Sequence, residues 1–171
     1  MSGQVSTAQV IDASALAELI NSAYRGDSSR VGWTTEADLL NGGRTDEADL
    51  VEKMSHPGHR FLKYTESDGL LGCVYIHADG HRLYLGMLSV KPKWQNKGIG
   101  KKLMAASEEQ GRLLGCRSVY MLVISERTEL IDWYSRHGYR ETGERRPFLI
   151  NDIRFGLPKK TLEFIVLEKV L

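Results

Sequence analysis

"MLSVKPKWQNKGIGKKLM", residues 87–104, decides how the rest of the chain is read. It opens apolar, meets Pro92, passes two glycines two apart, and turns basic and helix-prone. Proline cannot donate to a strand ladder, so a strand is expected to end near Val90 and a helix to begin near Gly98. The first four N–H groups of a helix lack internal partners, and its dipole favours an anion there. Gly98 and Gly100 carry no side chain to keep an oxygen away. Lys97, Lys101 and Lys102 add positive charge around the same turn. Two known phosphate motifs fit poorly. The P-loop would need glycine where Gln95 stands and a hydroxyl where Lys102 stands; the dinucleotide fingerprint would need glycine in place of Leu103. On these residues alone, a backbone anion site and a tight turn with solvated lysines stand as equal alternatives.

Upstream, "RFLKYTE" (60–66) alternates as a strand does, and "LLGCVYIH" (70–77) and "RLYLGMLSV" (82–90) are apolar with β-formers. Asp79-Gly80 between the last two is a hairpin signal, so residues 60–90 read as three antiparallel strands. The first third reads as helical. "ASALAELINSAYRG" (13–26) has Leu16, Leu19, Ile20 and Ala23 at helical spacing, with Gly26 as a stop. "TTEADLLNGG" (34–43) reads as a short helix capped by Thr34 or Thr35, with acids in its first turn. "TDEADLVEKM" (45–54) repeats that logic, with Thr45 as N-cap. Downstream, residues 98–115 predict a helix with Ile99, Leu103, Ala106, Gln110 and Leu113 on one stripe and Gly115 as its C-terminal cap. "SVYMLVI" (118–124) is a buried strand, "TELIDWYSRHG" (128–138) a helix, and "TLEFIVLEKVL" (161–171) a strand; a short strand is expected near Val5. The class is α+β, with a mostly antiparallel sheet flanked by helices and a strand–helix–strand unit around 83–124.

Composition sets outer limits. A chain of 171 residues suggests one domain and suffices for a sizeable core. Lys plus Arg is 23 and Asp plus Glu 22, a net charge of +1, which argues against a protein built for nonspecific nucleic-acid binding. No apolar run approaches the roughly 20 residues of a membrane span. "MSGQVSTAQV" lacks a basic segment followed by an apolar one, so no secretory leader is expected and a cytoplasmic setting is. Cys73 and Cys116 sit in apolar strand-like segments and read as reduced core thiols. His56 and His59 have metal-pair spacing but flank Pro57-Gly58 in a turn with no clear third ligand, so no metal is expected.

Residues 87–104 resemble the Gln/Arg-x-x-Gly-x-Gly/Ala core of the GCN5-related N-acetyltransferases (GNAT), with that family's strand-then-proline lead-in. A second signature follows: "LIDWYSRHGYRETG" (130–143) resembles the family's Tyr-x-x-x-Gly-Phe/Tyr helix end, with Tyr134, Gly138 and Tyr139 in place. The order of elements matches over most of the chain. The resemblance implies one N-acetyltransferase domain over residues 1–171, with the sheet splayed between the strand at 83–90 and the strand at 118–124. It implies acetyl-coenzyme A as co-substrate. Its pyrophosphate would meet backbone amides of Gln95, Asn96, Lys97, Gly98, Ile99 and Gly100, with Lys101 beside them. Leu88, Ser89 and Val90 would hold the pantetheine arm as a pseudo-strand, with the Leu88 N–H as oxyanion donor. Tyr134 matches the residue that serves the leaving thiolate. The sequence departs from the family at Arg127, where many members carry an asparagine that contacts the cofactor arm; Arg127 would meet a phosphate instead. It also has Tyr84 where some members place a glutamate base, so no base is named.

A free tyrosine has a pKa of about 10 and a thiol about 8.5, so complete proton transfer from Tyr134 to thiolate is uphill by about 2 kcal/mol. Hydrogen bonding is therefore its expected contribution. In this family the first helical region and the loop between the last two strands shape the acceptor site. They carry Tyr24, Arg25, Trp33, Glu36, Arg44, Phe148, Arg154 and Phe155 here, of which Tyr24, Trp33, Glu36 and Phe148 are the substrate candidates. Residues 145–160 hold Arg145, Arg146, Arg154, Lys159 and Lys160 against Asp152, suiting a carboxylate-bearing acceptor or a plain solvated face. The expected reaction is acetyl transfer to a primary amine of a small molecule. The rivals are a protein N-terminus or lysine as acceptor, and a binding module that senses acyl-coenzyme A without turnover. The sequence leaves a homodimer open.

Overall fold

The computed structural model describes residues 3–25, 29–67, 69–148, 155 and 157–171. Four helices are bounded among the described residues: α1 (Ala13–Tyr24), α2 (Glu47–Ser55), α3 (Ile99–Leu113) and α4 (Thr128–Arg136). The strands are β1 (Gln4–Thr7), β2 (Leu40–Asn41), β3 (Arg60–Glu66), β4 (Gly69–Asp79), β5 (Arg82–Val90), β6 (Ser118–Ile124), β7 (Arg140–Pro147), β8 (Leu157–Pro158) and β9 (Glu163–Val170). Seven form one sheet in the order β1-β3-β4-β5-β6-β9-β7; β2 and β8 pair separately. Every pairing in the large sheet is antiparallel except β5 with β6, which α3 connects. A parallel pair needs such a crossover, and the amphipathic 98–115 segment supplies it. The expected α+β class and its splay are therefore present.

The β4–β5 hairpin closes through Gly80 and His81, with Asp79 opposite Arg82 and Gly80 at φ 62°. Alternation along the strands splits the core between the two faces of the sheet. Leu71, Val74, Ile76, Leu83 and Leu85 pack with Ile99, Leu103 and Met104 of α3 on one face. Phe61, Cys73 and Tyr75 pack with Leu16, Leu19 and Ile20 of α1 on the other. The two cysteines are free, Cys73 in the second cluster and Cys116 in the first.

A bulge breaks the alternation in β5. Cys73 faces Ser89 and Tyr75 faces Gly86, so Val74 stands opposite the two residues Met87 and Leu88. Met87 takes the positive φ of 52°. The extra residue reverses the parity of the strand. Met87 joins the α1 face, while Leu88 and Val90 turn toward the α3 face.

Three local expectations are corrected. Residues 34–43 form no helix. The Leu39 and Leu40 amides both donate to Glu36 O at 2.9 and 3.0 Å, a single turn that runs into β2. Thr35 Oγ1 accepts from the Ala37 amide at 3.0 Å, the local side-chain bond that competes with helix. The N-cap of α2 is Asp46, whose side chain accepts from the Asp49 amide, while the Thr45 hydroxyl donates to Asp49 Oδ2 at 2.5 Å. On α3 the buried face is Ile99, Leu103, Met104, Ser107 and Gly111, and Leu113 is 72% exposed. Gly111 lets the helix pack closely on Leu171, whose Cδ1 would lie 3.0 Å from an added Cβ, and Leu113 faces outward. Gly115 ends the helix at φ 77°, and Cys116 donates to Gly111 O at 2.8 Å, as expected of a glycine cap.

Gly72 of β4 marks the closest approach of α3. A Cβ there would lie 2.9 Å from Leu103 Cδ1, 3.0 Å from Ile99 Cγ2 and 3.1 Å from Ser89 O. Gly72→Ala is expected to cost about 1–3 kcal/mol by overpacking. Urea unfolding checks this; an unchanged midpoint would show that α3 yields freely.

Candidate active site

β5 and β6 pair over Arg82↔Ser118, Leu83↔Val119 and Tyr84↔Tyr120, and then separate. From Leu85 onward the β6-facing edge of β5 has no strand partner among the described residues. Extended backbone with open N–H and C=O groups offers itself to an added strand or an amide-bearing ligand. This edge leads through the short 3₁₀ turn Pro92–Trp94 to the glycine turn. Asn96 and Gly98 take φ of 63° and 83°, and α3 starts at Ile99. The first of its amides to find a carbonyl one turn back is that of Lys102, bonded to Gly98 O at 3.1 Å. The amides just before it are the orphan donors of the helix start. Gln95 braces the turn: its Nε2 donates to Val90 O at 3.1 Å, and its Oε1 accepts from the Trp33 amide at 2.9 Å.

Two cavities of about 280 Å³ each flank the splay. One is floored by the glycine turn and walled by Trp33, Trp94, Leu130 and Trp133. The other lies between the separated strands under Tyr24, Tyr84, Phe148, Phe155 and Phe164. Tyr24, Leu88, Arg127, Leu130 and Tyr134 line both, so the cavities share one wall.

A buried charge cluster stands at that wall. Glu36 accepts from Arg25 Nε at 2.9 Å through Oε1 and from Arg127 Nη1 at 3.0 Å through Oε2. All three residues are at most 6% exposed. Arg127 Nη2 donates to Thr34 Oγ1 at 2.8 Å, and its buried Nε has no acceptor among the described residues. Arg25 Nη1 donates to Gly43 O at 3.1 Å and Phe155 O at 2.9 Å. The guanidiniums of Arg127 and Arg44 lie 5.6 and 5.7 Å from the Tyr24 ring centre. Burial pushes the Tyr24 hydroxyl up to about 12, against the opposing pull of Arg127.

Tyr134 is 5% exposed, and its hydroxyl bonds to no described residue. Its ring meets Trp133 and Tyr139 edge-on at 5.1 and 5.9 Å between centroids. Burial raises its pKa well above the usual tyrosine value, Tyr24 adds to this, and Arg127 opposes it. Tyr134 is therefore a neutral hydrogen-bond donor across the physiological range. Giving its proton up fully is harder than for a free tyrosine.

The model of the acetyltransferase (GNAT) family matches residues 15–139. The chain belongs to the GNAT family. It is 31% identical over 86 residues to an acetyltransferase of Photorhabdus laumondii, covering 50% of this chain. It is 26% identical over 110 residues to the uncharacterized protein YdhI of Bacillus subtilis, covering 63% of this chain. The matched stretches span 60% and 61% of those relatives' lengths. Among solved structures, PaiA N-acetyltransferase of Thermoplasma acidophilum in complex with coenzyme A superposes with a TM-score of 0.71 at 16% identity, covering 100% of each chain. The ribosomal-protein-alanine N-acetyltransferase of Brucella melitensis gives 0.72 at 18% identity, covering 98% of this chain and 99% of its own. Nourseothricin acetyltransferase gives 0.71 at 18%, covering 99% of each. At these identities the likeness is one of fold.

Leu88, Val90, Gln95, Asn96, Gly98, Ile99, Gly100, Lys101 and Tyr134 line the glycine-turn cavity. The Ser89 side chain turns away, its hydroxyl donating to Met87 O at 2.9 Å. Lys97 is exposed, with Nζ 5.6 Å from the Trp94 ring centre. Tyr24, Glu36 and Phe148 line the second cavity, whereas Trp33 lines only the first, away from the place expected of a substrate residue. Arg127 lines the glycine-turn cavity too, with two of its nitrogens committed to Glu36 and Thr34. Of the basic stretch, Arg145 pairs with Glu163, Arg146 with Glu144 and Lys160 with Glu126, a solvated face; Asp152 and Arg154 lie outside the described residues. Trp133 and Leu130 escaped the sequence reading. Their helical spacing signalled ordinary core, and only the splay beside α4 converts them into cavity wall.

Glu36→Gln would leave two guanidiniums facing each other without a carboxylate. A loss of about 3 kcal/mol is expected, since breaking a buried pair strands its partner. Chemical denaturation measures it; a change below about 0.5 kcal/mol, ordinary for a surface substitution, would mean the cluster is solvent-screened.

Proposed function

We propose that this chain is an acetyl-coenzyme A-dependent N-acetyltransferase that moves an acetyl group directly to the primary amine of a small molecule. The observation that carries the reading is the open edge of β5, which joins the second cavity to the amides of the glycine turn. Such an edge suits an arm that carries its own amides and ends in a pyrophosphate. The residues present fit that group. An added Cβ at Gly98 would meet nothing within 4 Å, so the turn leaves open space at the helix start. At Gly100 it would lie 3.6 Å from Trp133 and 3.9 Å from Val90, across the mouth of the cavity.

Each group has a stated task. The amides of residues 97–101 hold the pyrophosphate. The backbone of Leu88, Ser89 and Val90 aligns the arm. The Leu88 N–H, on the bulge and at the wall shared by both cavities, steadies the developing oxyanion. A preorganised donor of this kind contributes about 3–4 kcal/mol. Tyr134 hydrogen-bonds to the leaving sulfur without surrendering its proton. Arg127 and Glu36 fix the shared wall. Tyr84 is no base at neutral pH: burial raises its pKa, while Arg44 and Arg146 oppose this. A small acceptor is favoured over a protein segment by the aromatic-walled cavity of about 280 Å³, close to the volume of a small-ligand site.

Thiol release from acetyl-coenzyme A over a panel of amines and peptides tests the reading. Turnover on a small amine is expected. Preference for peptides would indicate a protein acceptor, and tight cofactor binding without release on any amine would indicate a sensor. Tyr134→Phe is expected to lower kcat about ten- to a hundredfold with acetyl-coenzyme A affinity nearly unchanged; equal turnover would remove it from the mechanism. Gly100→Asp is expected to weaken acetyl-coenzyme A binding at least about tenfold, by bulk and charge repulsion. Unchanged binding by calorimetry would move the phosphates elsewhere.

A further inference from the structure

The lining of the acceptor cavity carries an uneven charge. Among the described residues it presents three guanidiniums, Arg25, Arg44 and Arg127, against one carboxylate, Glu36. Arg25 and Arg127 already share that carboxylate, one oxygen each. Arg44 has no ion pair among the described residues; it is half-buried and rests against the Tyr24 ring at 5.7 Å. Arg127 retains a buried Nε without an acceptor among the described residues. Arg146 stands close enough to act electrostatically on Tyr84 and Tyr120, though it spends part of its charge on Glu144.

Buried charge is costly unless it is paired. The two positive charges in excess among the described lining residues therefore call for an anion. The same excess works against a substrate that brings only an ammonium group. It would drive the bound amine toward its neutral form, the form that attacks a thioester. A substrate meets both conditions if it carries a negative group at one end and the amine at the other.

Resting on the acetyltransferase reading above, we propose that the acceptor is an amine bearing an anionic group of the carboxylate type. Arg44 is its principal partner, and the Arg25–Glu36–Arg127 cluster supplies the positive background. Glu36 stands opposite in sign and orients the arginines rather than the substrate. The cavity is aromatic elsewhere, so the body of the acceptor packs against Tyr24, Phe148 and Phe155.

The test uses the whole chain saturated with coenzyme A and reads binding by calorimetry, so it does not need turnover. Matched pairs are compared: amino acids against their carboxamides, and aminoalkyl phosphonates against the plain alkylamines. The acid of a pair is expected to bind at least about tenfold more tightly than its neutral partner, the range of a charge-assisted hydrogen bond. Carboxylates are expected to bind better than the matched phosphonates, and the reverse preference overturns the carboxylate type. Arg44→Gln is expected to reduce the acid's advantage about tenfold while acetyl-coenzyme A affinity holds, which also reports that the variant is folded. Equal or better binding by the neutral partners, no binding by any acid, or an undiminished advantage in Arg44→Gln overturns the proposal. If acids bind selectively but no thiol is released, the anion site stands and the catalytic reading fails.

Discussion

The structure depends on a pairing that stops early. β5 and β6 are held together for three residue pairs and no further. At the joined end, Tyr120 donates to Asp79 at 2.5 Å, and the Arg82 guanidinium lies 4.0 Å from the Tyr120 ring centre. Beyond Tyr84 the strands diverge, and hydrophobic side chains that would have met across a ladder line a cavity instead. A continuous ladder would leave no edge for a ligand and no room for the shared wall of Tyr24, Leu88, Arg127 and Tyr134. The bulge at Met87–Leu88 belongs to the same device. It turns Leu88 and Val90 to the α3 face where the glycine turn begins.

Electrostatics then divides the two cavities. The glycine-turn side relies on backbone amides and a helix start, groups that attract anions without a desolvated side-chain charge. The other side relies on guanidiniums held by a single carboxylate. Glu36 binds residues 11 and 91 positions away in sequence, joining the segment after α1 to the start of α4 across the splay. One buried acid thus fixes the relative position of the elements on which the shared wall depends.

Much of this was legible in the sequence. The strand ending at Val90, the glycine turn and the helix after it were readable because proline and glycine act through local backbone geometry. The hairpin at Asp79-Gly80 and the cap at Gly115 were readable for the same reason. Tyr134 was found only through the family's second signature, since a tyrosine beside Trp133 otherwise reads as core. What escaped depends on long-range contacts. Residues 34–43 have a helix-like pattern, yet Glu36 is drawn inward by Arg25 and Arg127, and the segment makes one turn. Leu113 sits on the predicted stripe, but α3 buries Gly111 against Leu171 and Leu83 instead and leaves Leu113 outside. The cluster of Arg25, Glu36 and Arg127 has no local signature at all.

Amide hydrogen exchange, followed residue by residue with and without acetyl-coenzyme A, tests the central claim most directly. If the open edge and the helix start receive the ligand, the amides of residues 88–90 and 97–101 slow together on its addition, while those of β1 and β3 stay as they were. Exchange that is unchanged at both places under saturating ligand would contradict the account.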